Sequence, residues 1–189
     1  MKSQRLPFWK RQLPNMITWS RIAAIPAVVI SLLYDTPLAG ILAATFFIAA
    51  SISDFFDGYF ARYFHVETLL GKFLDPIADK LLVTAALIMM IPSGKVSAIL
   101  VLMLLSRDIL INGLRAVAAG ENFIIGAGWT GKWKTGAQMV AIPALMLGGK
   151  IGNFSLLELG NVLLWISLGL SIISASQYLF AFFSQYDGK

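Results

Sequence analysis

Residues 54–79 read DFFDGYFARYFHVETLLGKFLDPIAD, from Asp54 to Asp79. Four carboxylates fall in this stretch, Asp54, Asp57, Asp75 and Asp79, out of ten acids in a chain of 189 residues. The stretch lies between two long apolar runs and partly inside them. Charge at that depth is costly, so it is paired, hydrated or functional. The rest of the chain reads as scaffold, substrate grip or membrane anchor around it.

The spacing groups these acids into two pairs. Asp54 and Asp57 are three apart and share one helix face, which Ala61 extends by a turn. Gly58 leaves a gap beside them where a ligand can approach the backbone. Asp75 and Asp79 are four apart, again on one face. The link from Tyr63 to Leu70 is long enough to turn the chain back and set the pairs against each other. Four carboxylates converging in a low dielectric would repel until some protonated. Divalent cations offset that repulsion, and hard oxygen donors suit Mg²⁺ or Mn²⁺ better than Zn²⁺. Two such ions a few Å apart can clamp the attacking and leaving oxygens of a phosphoryl displacement. The plain alternatives are a pair solvated at a helix end, and Asp75-Pro76 as a simple helix start. His65, the only histidine, reads as a surface or interfacial residue rather than a ligand.

Composition sets the surroundings. The chain is 58% apolar and 13% charged, against about a quarter charged in soluble domains. It therefore reads as a single-domain, all-α polytopic membrane protein. With no cysteine there is no disulfide framework, thiolate metal site or thiol nucleophile. The net charge of +5 sits at the ends of apolar runs. It fits orientation in a bilayer and phosphate-bearing substrates rather than nucleic acid.

Residues 1–13 mix cations with Leu6, Phe8, Trp9 and Leu13, an amphipathic juxtamembrane segment at the headgroups; a frayed tail is the alternative. Residues 14–189 form the membrane domain, with Pro14-Asn15 opening its first helix. The apolar run from Met16 to Tyr34 exceeds a signal-peptide core of roughly 7–15 residues, so it is taken as a transmembrane helix. Six spans are expected: Met16–Tyr34, Leu38–Arg62, Lys72–Ile91, Val96–Ala119, Lys134–Gly149 and Leu156–Phe183, the fifth short for the ~20 residues a crossing needs. Asp35-Thr36-Pro37 and Pro92-Ser93-Gly94 are turns. Eleven cations fall on the side of the termini and two, Lys95 and Lys150, on the other. Both termini and the aspartate cluster are then cytoplasmic. Ser167, Ser171 and Ala175 form a stripe that permits close helix approach, within one chain or across a dimer.

Asp54-x2-Asp57-Gly58-x2-Ala61-Arg62-x8-Gly71-x3-Asp75-x3-Asp79 resembles, without departure, the signature of the CDP-alcohol phosphotransferases. The resemblance implies a six-helix membrane enzyme, homodimeric, that moves a substituted phosphoryl group from a CDP-linked donor to an alcohol and releases CMP. It implies that the four aspartates bind two divalent cations, that Asp79 also takes the proton of the acceptor hydroxyl, and that Gly58, Ala61, Arg62 and Gly71 line the CDP site.

Three further stretches bear on the acceptor. Pro14-Asn15-Met16-Ile17-Thr18-x2-Arg21-x4-Pro26, Arg107-Asp108 with Arg115, and Gly131-Lys132-x-Lys134-Thr135-x2-Gln138 resemble the bacterial phosphatidylglycerophosphate synthases of that family, although Glu is commoner than Asp108. The expected donor is CDP-diacylglycerol and the acceptor glycerol 3-phosphate, at the cytoplasmic face of a bacterial inner membrane. A dianionic acceptor needs a cationic pocket. Arg107 and Arg115, eight apart, share a helix face, and Lys132 and Lys134 sit at the mouth of the next helix. Forked guanidinium donors and point-charge lysines both suit phosphate. The alternatives are positive-inside anchoring for the lysines and a structural ion pair for Arg107, with Asp108 or a cluster carboxylate. Asn15, Thr18 and Arg21 are further candidates for the cavity. Inositol phosphate, serine or a phospholipid are the competing acceptors, and a cation transporter is the competing class.

Overall fold

The computed structural model describes the backbone of residues 8–64, 69–120 and 129–186, and the side chains of 19–53, 74, 77–118, 120, 129 and 131–184. Its architecture is all-α with six helices: α1 Phe8–Leu32, α2 Pro37–Phe64, α3 Leu69–Met89, α4 Ala98–Gly120, α5 Trp129–Leu147 and α6 Leu156–Tyr186. A short antiparallel hairpin, β1 Lys150–Ile151 and β2 Phe154–Ser155, joins α5 to α6. The chain forms two compact units, residues 1–89 with α1–α3 and residues 90–189 with α4–α6.

In the first unit α1 packs on both α2 and α3. The turn before α2 is built as its sequence suggests. Thr36 Oγ1 accepts the Ala39 N–H at 3.2 Å and its carbonyl accepts Gly40 N–H at 3.0 Å, with Pro37 in the first helical position where its missing N–H costs nothing. The buried stripe of α2 is Ala39, Ala43, Phe47 and Ala50, mostly small side chains that let helices approach closely. On α3 it is Ala78, Leu82 and Ala86.

In the second unit α6 packs on both α5 and α4. The α5–α6 crossing is tight at Gly160, where a Cβ would lie 2.6 Å from Leu145 Cγ and 3.0 Å from the Ala141 carbonyl oxygen. The helix ends are closed by named groups. Gly148, at φ 61°, donates to the Ala144 carbonyl at 3.0 Å, the left-handed cap that glycine adopts without a steric penalty. Lys95 Nζ reaches the Met146 carbonyl at 3.4 Å, a cation on the carbonyl end of a helix. Ser155 Oγ accepts the Glu158 N–H at 3.3 Å, in the Ser-x-x-Glu pattern of a capping box.

Two helix starts differ from the sequence expectation. Helix α1 begins at Phe8 and runs through Pro14, so residues 8–13 of the expected juxtamembrane segment are its first turns. Helix α5 begins at Trp129, so Lys132 and Lys134 stand inside its first turns and not before it. The hairpin at 150–155 was not anticipated, because strands of two residues leave no periodicity to read.

Among the described residues one helix, Leu156–Ser184, 29 residues long, is long and apolar enough to cross a membrane, with mean hydropathy 1.9 over an 18-residue window. Trp19–Leu32 and Pro37–Ser53 are shorter apolar helices. Helix α4 buries Leu100, Leu104 and Ile111, covers much of two charged side chains as well, and leaves apolar ones open. Arg107 and Asp108 are largely covered, whereas Ile109 and Leu110 are 72% and 71% exposed, the reverse of a helix in water.

Candidate active site

The carboxylate signature spans the end of α2 and the start of α3. Asp54, Asp57, Gly58, Ala61 and Arg62 lie on the helical backbone of α2, and Gly71, Asp75 and Asp79 on that of α3. The stripe of α2 at positions 39, 43, 47 and 50 continues in helical register through 54, 57 and 61. That of α3 at 78, 82 and 86 continues back through 75. Among the four acids the described side chain is Asp79, which is partly buried and engaged in an interaction. The side chains of Asp54, Asp57, Gly58, Ala61, Arg62, Gly71 and Asp75, and those of Asn15 and Thr18, lie outside the described residues, as does His65. Among the described residues no three His, Cys, Asp or Glu cluster, and three of the four aspartates are outside that set. The donor chemistry fits hard divalent ions: all-carboxylate oxygen, with no thiolate in the chain and no imidazole within either helix. Arg21, on α1, is buried to 1% exposure and has interacting neighbours.

The second unit carries the cations. Arg107 on α4 donates from Nε to the Ser171 carbonyl oxygen on α6 at 2.8 Å and from Nη1 to Asp108 Oδ1 at 3.1 Å. Lys134 on α5 donates from Nζ to the same Asp108 oxygen. Ser167 Oγ on α6 donates in turn to the Lys134 carbonyl at 3.3 Å. Among the described residues one network therefore ties α4, α5 and α6 together around two cations and one carboxylate. Two cations on one oxygen stand within roughly 5 Å of each other, where like charges repel by about 3 kcal/mol at an effective dielectric of about 20. Asp108 is what makes that proximity tolerable.

Of the four cations expected at the acceptor phosphate, Arg107 and Lys134 are brought together and are mostly covered, with side chains 15% and 9% exposed. Arg115 is exposed and lies over the Tyr178 ring at 5.5 Å. Like Arg107 it faces α6, so the shared face expected from the spacing of eight is present. Lys132 is exposed over the Trp129 ring at 5.8 Å. Ser167 and Ser171, the small-residue stripe, are fully buried within this unit, and their polar atoms serve Lys134 and Arg107. Packing within the chain accounts for them. Asp108, one of the ion-pair partners the sequence offers Arg107, is its partner here, and its second contact, to Lys134, is one the sequence does not show. The signal for the first contact was an acid next to an arginine deep in an apolar run.

The sequence profile of the CDP-alcohol phosphatidyltransferases matches residues 11–173. Curated relatives named CDP-diacylglycerol–glycerol-3-phosphate 3-phosphatidyltransferase include one from Rickettsia bellii, 44% identical over 167 residues, covering 88% of this chain and 92% of the relative. One from Bacillus subtilis is 38% identical over 178 residues, covering 88% and 92%. A second isoform from Arabidopsis thaliana is 34% identical over 181 residues, covering 88% and 78%. With the profile spanning both the α2–α3 carboxylates and the cation network of α4–α6, and with similarity running nearly end to end, the chain belongs to the CDP-alcohol phosphatidyltransferase family.

Proposed function

We propose that this enzyme transfers the phosphatidyl group of CDP-diacylglycerol to glycerol 3-phosphate, giving phosphatidylglycerophosphate and CMP in phospholipid synthesis. The observation that carries the choice of acceptor is the near full-length similarity to relatives named for that reaction. The meeting of Arg107 and Lys134 on Asp108 supports it, because a phosphate-bearing acceptor needs convergent cations.

In this reading Asp79 accepts the proton of the primary hydroxyl of glycerol 3-phosphate. The hydroxyl oxygen then bonds to the phosphorus that carries diacylglycerol, and the bond from that phosphorus to the CMP oxygen breaks. Arg107, Lys134, Arg115 and Lys132 hold the acceptor phosphate. Gly58, Ala61, Arg62 and Gly71 admit the cytidine diphosphate close to the backbone, and Asn15, Thr18 and Arg21 line the cavity. Asp54, Asp57, Asp75 and Asp79 would hold two divalent cations, Mg²⁺ or Mn²⁺, which supply charge neutralisation at the pyrophosphate and the departing CMP. Positioning and charge neutralisation do most of the catalytic work.

The membrane arrangement belongs to the same reading: six spanning helices in a bacterial inner membrane, with both termini and the aspartates cytoplasmic and the chain paired as a homodimer. The eleven-to-two bias of cations supports the orientation. The apolar open face of α4 and the membrane-length α6 support the setting.

The test supplies purified protein with CDP-diacylglycerol, Mg²⁺ or Mn²⁺, and labelled glycerol 3-phosphate, inositol phosphate or serine in parallel. Phosphatidylglycerophosphate and CMP in equal amounts are expected from the first. Turnover with either of the others and not with glycerol 3-phosphate overturns the choice of acceptor. Cation flux into liposomes without consumption of the CDP-lipid overturns the reaction class.

A further inference from the structure

Asp108 belongs neither to the carboxylate signature of α2 and α3 nor to the cations expected at the acceptor phosphate. Yet two of those cations meet on it. A carboxylate among groups that must bind an anion works against attraction, so its presence needs a physical reason. The geometry points to one: Asp108 is a positioning residue that holds Arg107 and Lys134 convergent and presents them to the acceptor phosphate as a preset pair. This inference rests on the phosphate-bearing acceptor proposed above.

Three observations carry it. Arg107 is held at two points, Nε on the Ser171 carbonyl and Nη1 on Asp108 Oδ1. Among the described residues its Nη2 has no partner and is not sealed from solvent. The guanidinium therefore has a fixed plane with one edge available, the condition for forked recognition of phosphate. Lys134 reaches Asp108 from another helix, with its own carbonyl held by Ser167. Its side chain is 9% exposed. Asp108 thus draws Lys134 toward Arg107. With Asp108 between them the two cations can stand assembled before the acceptor arrives, and preorganisation of this kind reduces the ordering cost of binding.

The test uses the full-length enzyme and the variants Asp108→Asn, Asp108→Gln and Asp108→Glu. KM is measured for each substrate with the other saturating. The rise in melting temperature on adding inorganic phosphate is measured without turnover. Each amide variant is expected to raise KM for glycerol 3-phosphate at least tenfold, to leave KM for CDP-diacylglycerol within twofold, and to lose the phosphate-induced stabilisation. Asp108→Glu is expected to stay within threefold of wild type. An amide variant that folds with an unchanged KM for glycerol 3-phosphate overturns the positioning role. So does failure of both amides to fold while Asp108→Glu folds, since the carboxylate is then a requirement of the fold, and so does a wild type that phosphate does not stabilise. A wild type that phosphate stabilises through Asp108 but that ignores glycerol 3-phosphate supports the anion site and instead removes the choice of acceptor.

Discussion

Arg107 and Lys134, on different helices, converge on a single oxygen, Asp108 Oδ1. Groups that share a partner and a ligand do not contribute independently. Arg107→Ala and Lys134→Ala are each expected to raise KM for glycerol 3-phosphate at least tenfold. The double variant is expected to fall short of the product of the two effects. Steady-state kinetics on the two single variants and the double variant check this. Strict multiplicativity would mean that the two cations act separately, against the shared oxygen seen here.

Gly160 on α6 lies tight against α5, and an added methyl would press on Leu145 Cγ and on the Ala141 carbonyl. Neither atom is the mobile tip of a side chain. Gly160→Ala is therefore expected to destabilise by about 1–3 kcal/mol, the usual range for overpacking. Gly169, on the same helix, has nothing within 4 Å of its hypothetical Cβ. Gly169→Ala is expected to be neutral or to stabilise by up to about 1 kcal/mol. Thermal unfolding of both in the same detergent separates packing from helix propensity.

Ser171 is fully buried, and its Oγ has no hydrogen-bond partner among the described residues. Its carbonyl, not its hydroxyl, serves Arg107. Ser171→Ala is expected to leave the melting temperature unchanged or raise it, since an unsatisfied buried hydroxyl costs about 1–3 kcal/mol. Ser171→Leu is expected to lower it, because the added volume enters a packed seam.

These cases mark how much the sequence carried. The six helices and most of their boundaries follow from apolar runs of spanning length and from punctuation such as Thr36-Pro37 and Pro92-Ser93-Gly94. The signature acids fall on the helical backbone of α2 and α3, where the apolar runs and the link between them place them. The network did not follow. Asp108 could be named from the sequence as a partner of Arg107, yet that Lys134 shares the same oxygen depends on how α4, α5 and α6 pack, and side-chain spacing along one helix says nothing of that. Lys134 shows the same limit. Read as a charge at the mouth of a helix, it is nearly covered within one. Gly160 left no sequence signal distinguishing it from Gly169, since both are isolated glycines in an apolar helix, and only the neighbour across the seam separates them.

The signature aspartates are expected to divide into two behaviours. Asp57 is proposed as a metal-holding residue alone, and Asp79 as a residue that also takes a proton. Asp57→Asn and Asp79→Asn are each expected to lower kcat at least a hundredfold in protein that still folds. An amide remains an oxygen donor to a hard cation, though a weaker one without the charge. Raising Mg²⁺ or Mn²⁺ should therefore return part of the turnover of Asp57→Asn. The amide has no basicity near neutral pH, so no metal concentration should return that of Asp79→Asn. Turnover against metal concentration for the two variants measures the difference. Equal rescue of both would remove the proton-accepting role from Asp79, and wild-type turnover in either would remove the aspartates from the reaction.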